Sequence, residues 1–389
     1  MSFAEPTILY SAMSKAPAHV ASALGRTLGR ALGGAMVLAA LFLWVPADAG
    51  DGITFIFTSD PQFCGPALDR VRSCRMWGRN DEYVDWQIAG INQVPGYRWP
   101  QNWRMQFGVD GEFDAPLGVV LGGDLTESAG GFKGRTGGGS QWRMFVSRYE
   151  HGRNQAVRYP VYVGLGNHDL EIEPRDRSLP RSLYRDRMWD YVEARHAGDH
   201  APVPVSDFDP RSRSYSWNWG GVHLVQLHRF PGDTRHGLPS GLPWLKENLA
   251  RHASDGRPVV FFQHYGFESG NSIGYSRRSR SKWTPTEMNR FAETIRGYNV
   301  IGMFHGHDHW TQMRYTWGGY DIFSPGAAHF GQFAIVHVDG DTMDVVYAEV
   351  RNEDGDVRFL PESGFSKKIH SPSRIVREDS GRESALKGQ

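Results

Sequence analysis

The chain has 389 residues, room for two domains by length, although large α/β enzymes often run as one. Acidic and basic residues balance at 43 each, so no global charge steers it toward nucleic acid or acidic surfaces. Its 46 glycines and 13 tryptophans point to long structured loops on a packed scaffold.

The first 50 residues differ in kind from the rest. Lys15, Arg26 and Arg30 precede an uncharged apolar stretch from Ala31 to Val45, and Ala47-Asp48-Ala49 follows. A basic region, an apolar core and a small-x-small site form the pattern of a secretory signal peptide, with cleavage expected after Ala49. The apolar run is short against the roughly 20 residues of a membrane span, which makes an uncleaved anchor the lesser reading. The basic region is long, and Met13 is an alternative start.

The first strand is expected at Ile53–Phe57, ending in Asp60-Pro61-Gln62. Cys64 and Cys74, the only cysteines, follow at a spacing that permits a local disulfide in an exported protein; two reduced thiols are the alternative. Val84, Ile88 and Ile91 recur at helical spacing within Asp81–Asn92, the first crossover helix. Gln93 to Phe113, rich in Trp, Pro and Gly, reads as an inserted loop near the rim. A strand at Leu117–Leu121 runs into Gly123-Asp124. Gly130–Ser140 lacks a core pattern and reads as a loop, either a surface connector or a lid.

Trp142, Phe145, Val146 and Tyr149 recur at i, i+3, i+4 and i+7, the core face of an amphipathic helix. Val161–Leu165 is the next strand, ending in Gly166-Asn167-His168-Asp169. Arg175 to Arg213 is charged and partly helical around Leu183–Arg195. Val222–Leu227 is a strand ending at His228, which is open to two roles, a substrate contact or a hydrogen-bonded core residue. Leu242–Ala250 is helical. Pro258–Phe262 leads into Gln263-His264, and Val300–Phe304 into Gly306-His307-Asp308-His309. Between them Arg277, Arg278, Arg280 and Lys282 form a cationic run, either a solvated loop or a lip for a second anionic group of a ligand. Strands at Asp321–Ser324, Phe333–Val338 and Met343–Val350 follow, with Asp339-Gly340 as a hairpin turn. From Ser366 the chain is polar and aperiodic, a disordered tail by composition.

Five polar motifs thus stand in order at the ends of buried strands, the edge where open α/β sheets place their ligand sites. Their order resembles that of the calcineurin-like metallophosphoesterase superfamily: Asp-x-His, Gly-Asp, Gly-Asn-His-Asp/Glu, a lone His and Gly-His-x-His. The resemblance spans roughly Ile53 to Val350. Gln62 stands where most members have His, as in branches that include manganese-dependent ADP-ribose/CDP-alcohol diphosphatases.

The resemblance implies an α/β fold, a four-layer α/β/β/α sandwich of two stacked mixed sheets with a metal site at the carboxyl edge of the strands. Residues 1–49 are then the signal or anchor, 50–365 the catalytic domain and 366–389 the tail. It also implies two divalent ions, one held by Asp60, Gln62, Asp124 and His309 and the other by Asp124, Asn167, His264 and His307. A shared carboxylate suits ions roughly 3.5–4 Å apart, with a bridging hydroxide as nucleophile. The amide of Gln62 is a harder donor than imidazole, which favours Mn or Fe, with Zn or Mg possible. His168 is expected to serve the leaving oxygen, with Asp169 fixing its ring. Gly306 is expected for a backbone bend between the histidines, and His329, near a turn, is open to a site contact as the lesser reading. The expected function is an exported phosphomonoesterase acting on a small-molecule or lipid phosphate ester. The alternatives are a phosphodiesterase or diphosphatase on nucleotide-linked or lipid-head-group substrates, and less so a non-catalytic metal-dependent binding protein. Nucleic acid is not an expected partner, and no protein partner is inferred. The expected location is secreted or periplasmic, or else membrane-anchored facing outside.

Overall fold

A computed structural model of the chain describes residues 52–64, 81–103, 110–127, 138–150, 156–170, 181–234, 239–267, 283–310 and 312–370. The first part gives β1 (Ile53–Thr58), α1 (Glu82–Gln93), β2 (Val119–Leu121), α2 (Gly138–Tyr149), β3 (Val161–Val163), the single turn α3 (Asn167–Leu170) and α4 (Arg181–His196). The middle gives β4 (Asp207–Phe208), β5 (Tyr215–Trp219), β6 (Val222–Gln226), α5 (Leu242–His252), β7 (Val259–Gln263), α6 (Pro285–Ile295) and β8 (Val300–His305). The last part gives β9 (Met313–Trp317), β10 (Tyr320–Ser324), β11 (Gln332–Asp339), β12 (Thr342–Val350) and β13 (Val357–Lys368).

These strands form two mixed sheets. One has six strands in the order β13-β12-β11-β1-β2-β3, the other seven in the order β4-β5-β6-β7-β8-β10-β9. In the first, β1, β2 and β3 are parallel and β11 pairs antiparallel to β1. In the second, β6, β7, β8 and β10 are parallel.

Both faces of the central strands are buried, which is why they read as apolar runs without alternation. On β1, Phe55 and Phe57 point at the second sheet, where their rings meet Phe262 and Phe304 at centroid distances of 5.3–6.1 Å. The opposite face of β1 meets α1, where Gln87 donates to Thr58 Oγ1 at 2.9 Å. On β7, Phe262 faces the first sheet while Phe261 packs on Phe291 of α6 at 5.6 Å. The layers are therefore helix, sheet, sheet, helix. Truncating Phe262 to Ala would open the seam between the sheets and cost about 3–5 kcal/mol. A capping box starts α6: Glu287 N–H donates to Thr284 Oγ1 and Thr284 N–H to Glu287 Oε2.

Two sequence boundaries change. Gly138–Ser140, expected in the loop, form the first turn of α2. The polar stretch from Ser366 does not leave the fold at once, because β13 continues to Lys368 in register with β12. It is an edge strand, and edges are commonly polar. Phe365 packs on Phe323 at 5.5 Å, and the Ile369 N–H donates to Asp341 O at 2.7 Å. The apolar segment Ala31–Val45, the Ala47–Ala49 site, Cys74, residues 128–137, the cationic run Arg277, Arg278, Arg280 and Lys282, and residues 371–389 lie outside the described residues. No helix among the described residues is long and apolar enough to cross a membrane.

Candidate metal centre

The polar motifs leave the carboxyl ends of β1, β2, β3, β7 and β8, and the sheet order brings these five ends side by side. The chain turns sharply after β1, β2 and β8, and after β6 beside them. Asp60, Gln62, Asp124, His228 and His307 have φ of 57, 38, 53, 55 and 70°, the left-handed region that non-glycine residues rarely adopt. Backbone bonds hold the strain: Asp60 N–H to Gly123 O at 3.0 Å, Gln62 N–H to Asp124 O at 2.9 Å, and His264 N–H to His228 O at 2.6 Å. Glycines admit the close approach. A Cβ on Gly166 would lie 2.1 Å from Asp124 Oδ1, and one on Gly306 1.9 Å from Ser59 Oγ and 2.5 Å from Asp60 Oδ2. Gly306 therefore serves close packing, and the left-handed turn sits one residue later, at His307.

Asp60 and Asp124 are fully buried carboxylates, an arrangement that requires positive charge nearby. His307 N–H donates to Asp60 Oδ2 at 2.9 Å, and His309 Nε2 lies 3.2 Å from Asp60 Oδ1. Asp124 Oδ1 takes the His168 N–H at 2.7 Å, while Oδ2 takes the Gln62 amide at 3.1 Å and faces His264 Nε2 at 3.2 Å. Burial works against charge on both carboxyls, but the histidines win: His309 and His264 hold Asp60 well below the usual range, and His264 and His168 hold Asp124 at about 2. Burial also opposes charge on His264, yet Asp124, Asp60 and Asp169 raise it to about 9. His307, buried and beside His264, is pushed down to about 3, so it offers a neutral nitrogen.

Two groups of side chains place one donor atom each within 4.8 Å of one another: Asp124, His264 and His307, and Asp60, Asp124 and His309. Asp124 belongs to both. Asn167 Oδ1 joins the first, 3.1 Å from His264 Nε2. Gln62 joins the second, and its geometry tests the fit. Its amide nitrogen is spent on Asp124, while its Oε1 is buried with no hydrogen-bond partner. A buried orphan amide oxygen is costly unless something cationic takes it. Carboxylate, amide and imidazole donors of this kind suit divalent ions with oxygen and nitrogen preference, so the residues fit the pair of ions that the motifs imply.

A family model for calcineurin-like phosphoesterases matches residues 96–311. The chain belongs to this family. The matched span takes in Asp124, Asn167, His168, His264, His307 and His309, and begins after Asp60 and Gln62. As a calcineurin-like phosphoesterase the chain is a metal-dependent hydrolase of phosphate esters that uses divalent ions. No curated protein sequence matches it. Among solved structures it is similar to a dimetal phosphatase of Danio rerio, at 14% identity over 82% of this chain and 100% of that one, TM-score 0.49. It is also similar to PhoD, at 12% identity over 84% of this chain and 71% of that one, TM-score 0.49. A 5'-nucleotidase of Candida albicans matches at 13% identity, 82% of this chain and 51% of that one, TM-score 0.40.

Within this phosphoesterase frame the expectation for Asp169 is corrected. Its carboxylate does not reach the His168 ring. It accepts the N–H groups of Leu125 at 3.0 Å, Thr126 at 3.4 Å and Gly166 at 2.9 Å, and so braces the two loops that carry Asp124 and Asn167. Burial and the Asp124 charge push it up to about 7 against those donors. The ring of His168 is held instead by Glu127: Nδ1–H donates to the Glu127 carbonyl at 2.8 Å, with the Glu127 carboxylate 3.7 Å away. The resemblance pointed to the adjacent acid. The real partner lies 41 residues earlier, three positions beyond Asp124, and only the β2–β3 pairing brings it near.

The substrate role entertained for His228 is also corrected. Its side chain is 2% exposed and points into the core. Leu165 N–H donates to Nδ1 at 3.2 Å and Nε2–H donates to Arg213 O at 2.7 Å, so both ring nitrogens are spent on backbone. His329 does approach the centre, donating from Nδ1 to Asp60 O at 2.7 Å with its ring 4.7 Å from that of His309.

Proposed function

We propose that this phosphoesterase hydrolyses a phosphomonoester outside the cytoplasm. One ion would be held by Asp60, Gln62, Asp124 and His309, and the second by Asp124, Asn167, His264 and His307. The observation that carries the reading is Asp124: one buried carboxylate common to both donor groups, with the half-buried His168 hung from its Oδ1. When bound, the ions supply charge that polarises the phosphoryl group and lowers the pKa of water in the site.

The chain's own residues do the rest. Asp60 and Asp124 fix the charge of the centre. His168, anchored through its backbone N–H to Asp124 and through Nδ1 to Glu127, presents its ring edge to the leaving oxygen and hands it a proton. Glu127 places a buried carboxyl 3.7 Å from Nδ1 of that ring. Gln62 offers a hard oxygen, which favours Mn or Fe over Zn. Export is supported by the signal-like N-terminus and by Cys64, which is disulfide-bonded, with no free cysteine among the described residues.

A second reading, a diesterase or diphosphatase on nucleotide-linked esters, is favoured by one surface feature. Trp310 follows His309 directly and is 45% exposed. Its ring packs on Phe330 at 5.0 Å, Phe330 on His329 at 4.4 Å, and His329 on His309 at 4.7 Å. An indole so backed, at the mouth of the centre, suits a planar leaving group. Mn²⁺-loaded protein tested on p-nitrophenyl phosphate, bis-p-nitrophenyl phosphate and CDP-choline separates the two. Monoester turnover dominating supports the first; diester or CDP-choline turnover dominating replaces it with the second. No turnover on any phosphate ester would leave a metal-dependent binding protein.

A further inference from the structure

The second ion's two histidines stand on different loops. His264 follows β7, and His307 follows β8. Behind them runs a hydrogen-bond relay that belongs to neither motif. The N–H of Phe267, three residues past His264, donates to Tyr315 Oη at 3.0 Å. Tyr315 Oη–H donates to His305 Nε2 at 3.0 Å, and His305 Nδ1–H donates to the carbonyl of Gly306 at 2.8 Å. Every donor faces an acceptor, so the relay fixes the tautomer of His305 and runs in one direction from loop to loop. It ends on the peptide that leads into His307.

The relay is tightly enclosed. His305 is 1% exposed. A Cβ on Gly266 would lie 2.6 Å from His305 Cε1 and 2.7 Å from both His305 Nε2 and Tyr315 Oη. The His264 loop therefore rests directly on the His305–Tyr315 pair. Tyr265, between His264 and Gly266 in sequence, sets its ring edge-on to His307 at 4.7 Å. Tyr315 itself comes from β9, an edge strand that supplies no proposed ligand.

We infer that Tyr315 is a positioning residue for the second ion: its hydroxyl, through His305, holds the His264 and His307 loops at the separation that lets both rings serve one centre. This rests on the ligand assignment above. Partners that orient metal ligands typically carry about 10–100-fold in metal affinity.

The test is Mn²⁺ titration of the full chain by calorimetry, with electron paramagnetic resonance of the loaded protein. Wild type is expected to take two ions and show a spin-coupled pair. Tyr315→Phe keeps the ring and loses only the hydroxyl. It should bind the first ion as wild type does and the second about 10–100-fold more weakly, giving the six-line spectrum of an isolated ion at one equivalent. Gly266→Ala, which pushes the loop off the pair, should do the same. Tyr347→Phe is the control: it loses the bond from Tyr347 Oη to Met313 O at 2.7 Å, which ties down the same strand β9 but is not part of the relay. It should leave both ions in place even where it lowers the melting temperature. Tyr315→Phe binding both ions as wild type does, or weakening both equally, would overturn this inference alone. Wild type binding fewer than two ions would sink the ligand assignment and this inference with it.

Discussion

Replacing His228 with Asn separates a structural strut from a substrate contact. Asn tolerates the left-handed backbone at this position, where φ is 55°, and its Oδ1 can still accept the Leu165 N–H. It is too short to reach Arg213 O. That leaves a part-buried carbonyl without this partner, at up to about 1–3 kcal/mol, and removes the edge-on contact with Trp189 at 5.0 Å, about 0.5–1.5 kcal/mol more. The expected loss is roughly 2–4 kcal/mol at neutral pH, read from urea unfolding of the metal-loaded protein. The pH profile adds a second signature. Burial, opposed in part by the Arg213 carbonyl, holds the imidazole down to about 4 from an ordinary 6.5. The folded state keeps the ring neutral while the unfolded chain takes up a proton. The contribution is thus complete above pH 6.5 and lost as pH falls toward 4. The gap corresponds to about 3 kcal/mol, and the Asn variant should lack that part of the acid slope. Below saturation its KM should match wild type. A raised KM with unchanged stability and an unchanged acid slope would refute the strut and restore a substrate contact.

His168→Ala should lose about 10²–10⁴ in kcat on an alkyl phosphate, less on p-nitrophenyl phosphate, and keep two ions per chain; equal losses on both substrates would point to positioning instead. Glu127→Gln keeps the carbonyl that holds the ring and replaces the carboxyl beside it, so its smaller loss should show the same leaving-group bias in parallel assays. Gln62→His should shift reconstituted activity from Mn²⁺ toward Zn²⁺, and an unchanged preference would mean that Gln62 is no ligand. Thiol labelling of denatured, unreduced protein should find no free cysteine, and Cys64→Ser should cost about 2–3 kcal/mol in unfolding experiments.

The layers, and the polar side chains that gather at one edge of the sheets, were legible because each central strand is buried on both faces and ends in a polar motif. Apolar runs announced β1, β2, β3, β7 and β8, and their order announced which carboxyl ends would meet. What sequence could not supply was pairing across distance. Asp169 beside His168 looked like its partner, yet the carboxylate turned to the amides of Leu125 and Gly166, and Glu127 took the ring. His228 ended a strand at the right edge, but its left-handed backbone turned the ring inward. The polar C-terminal stretch carried no periodicity because β13 is an edge strand, defined by its register with β12. His305 and Tyr315 gave no local signal at all, since each gains meaning only from the other.

Metal content per chain of Asp124→Asn, measured beside wild type by elemental analysis after dialysis against Mn²⁺-free buffer, tests the central claim most directly. Asp124 is the one carboxylate common to both donor groups, and an amide there can no longer balance two cations. Wild type should retain two ions and the variant fewer than one, with turnover lost on every ester. An Asp124→Asn chain that kept both ions would contradict the account.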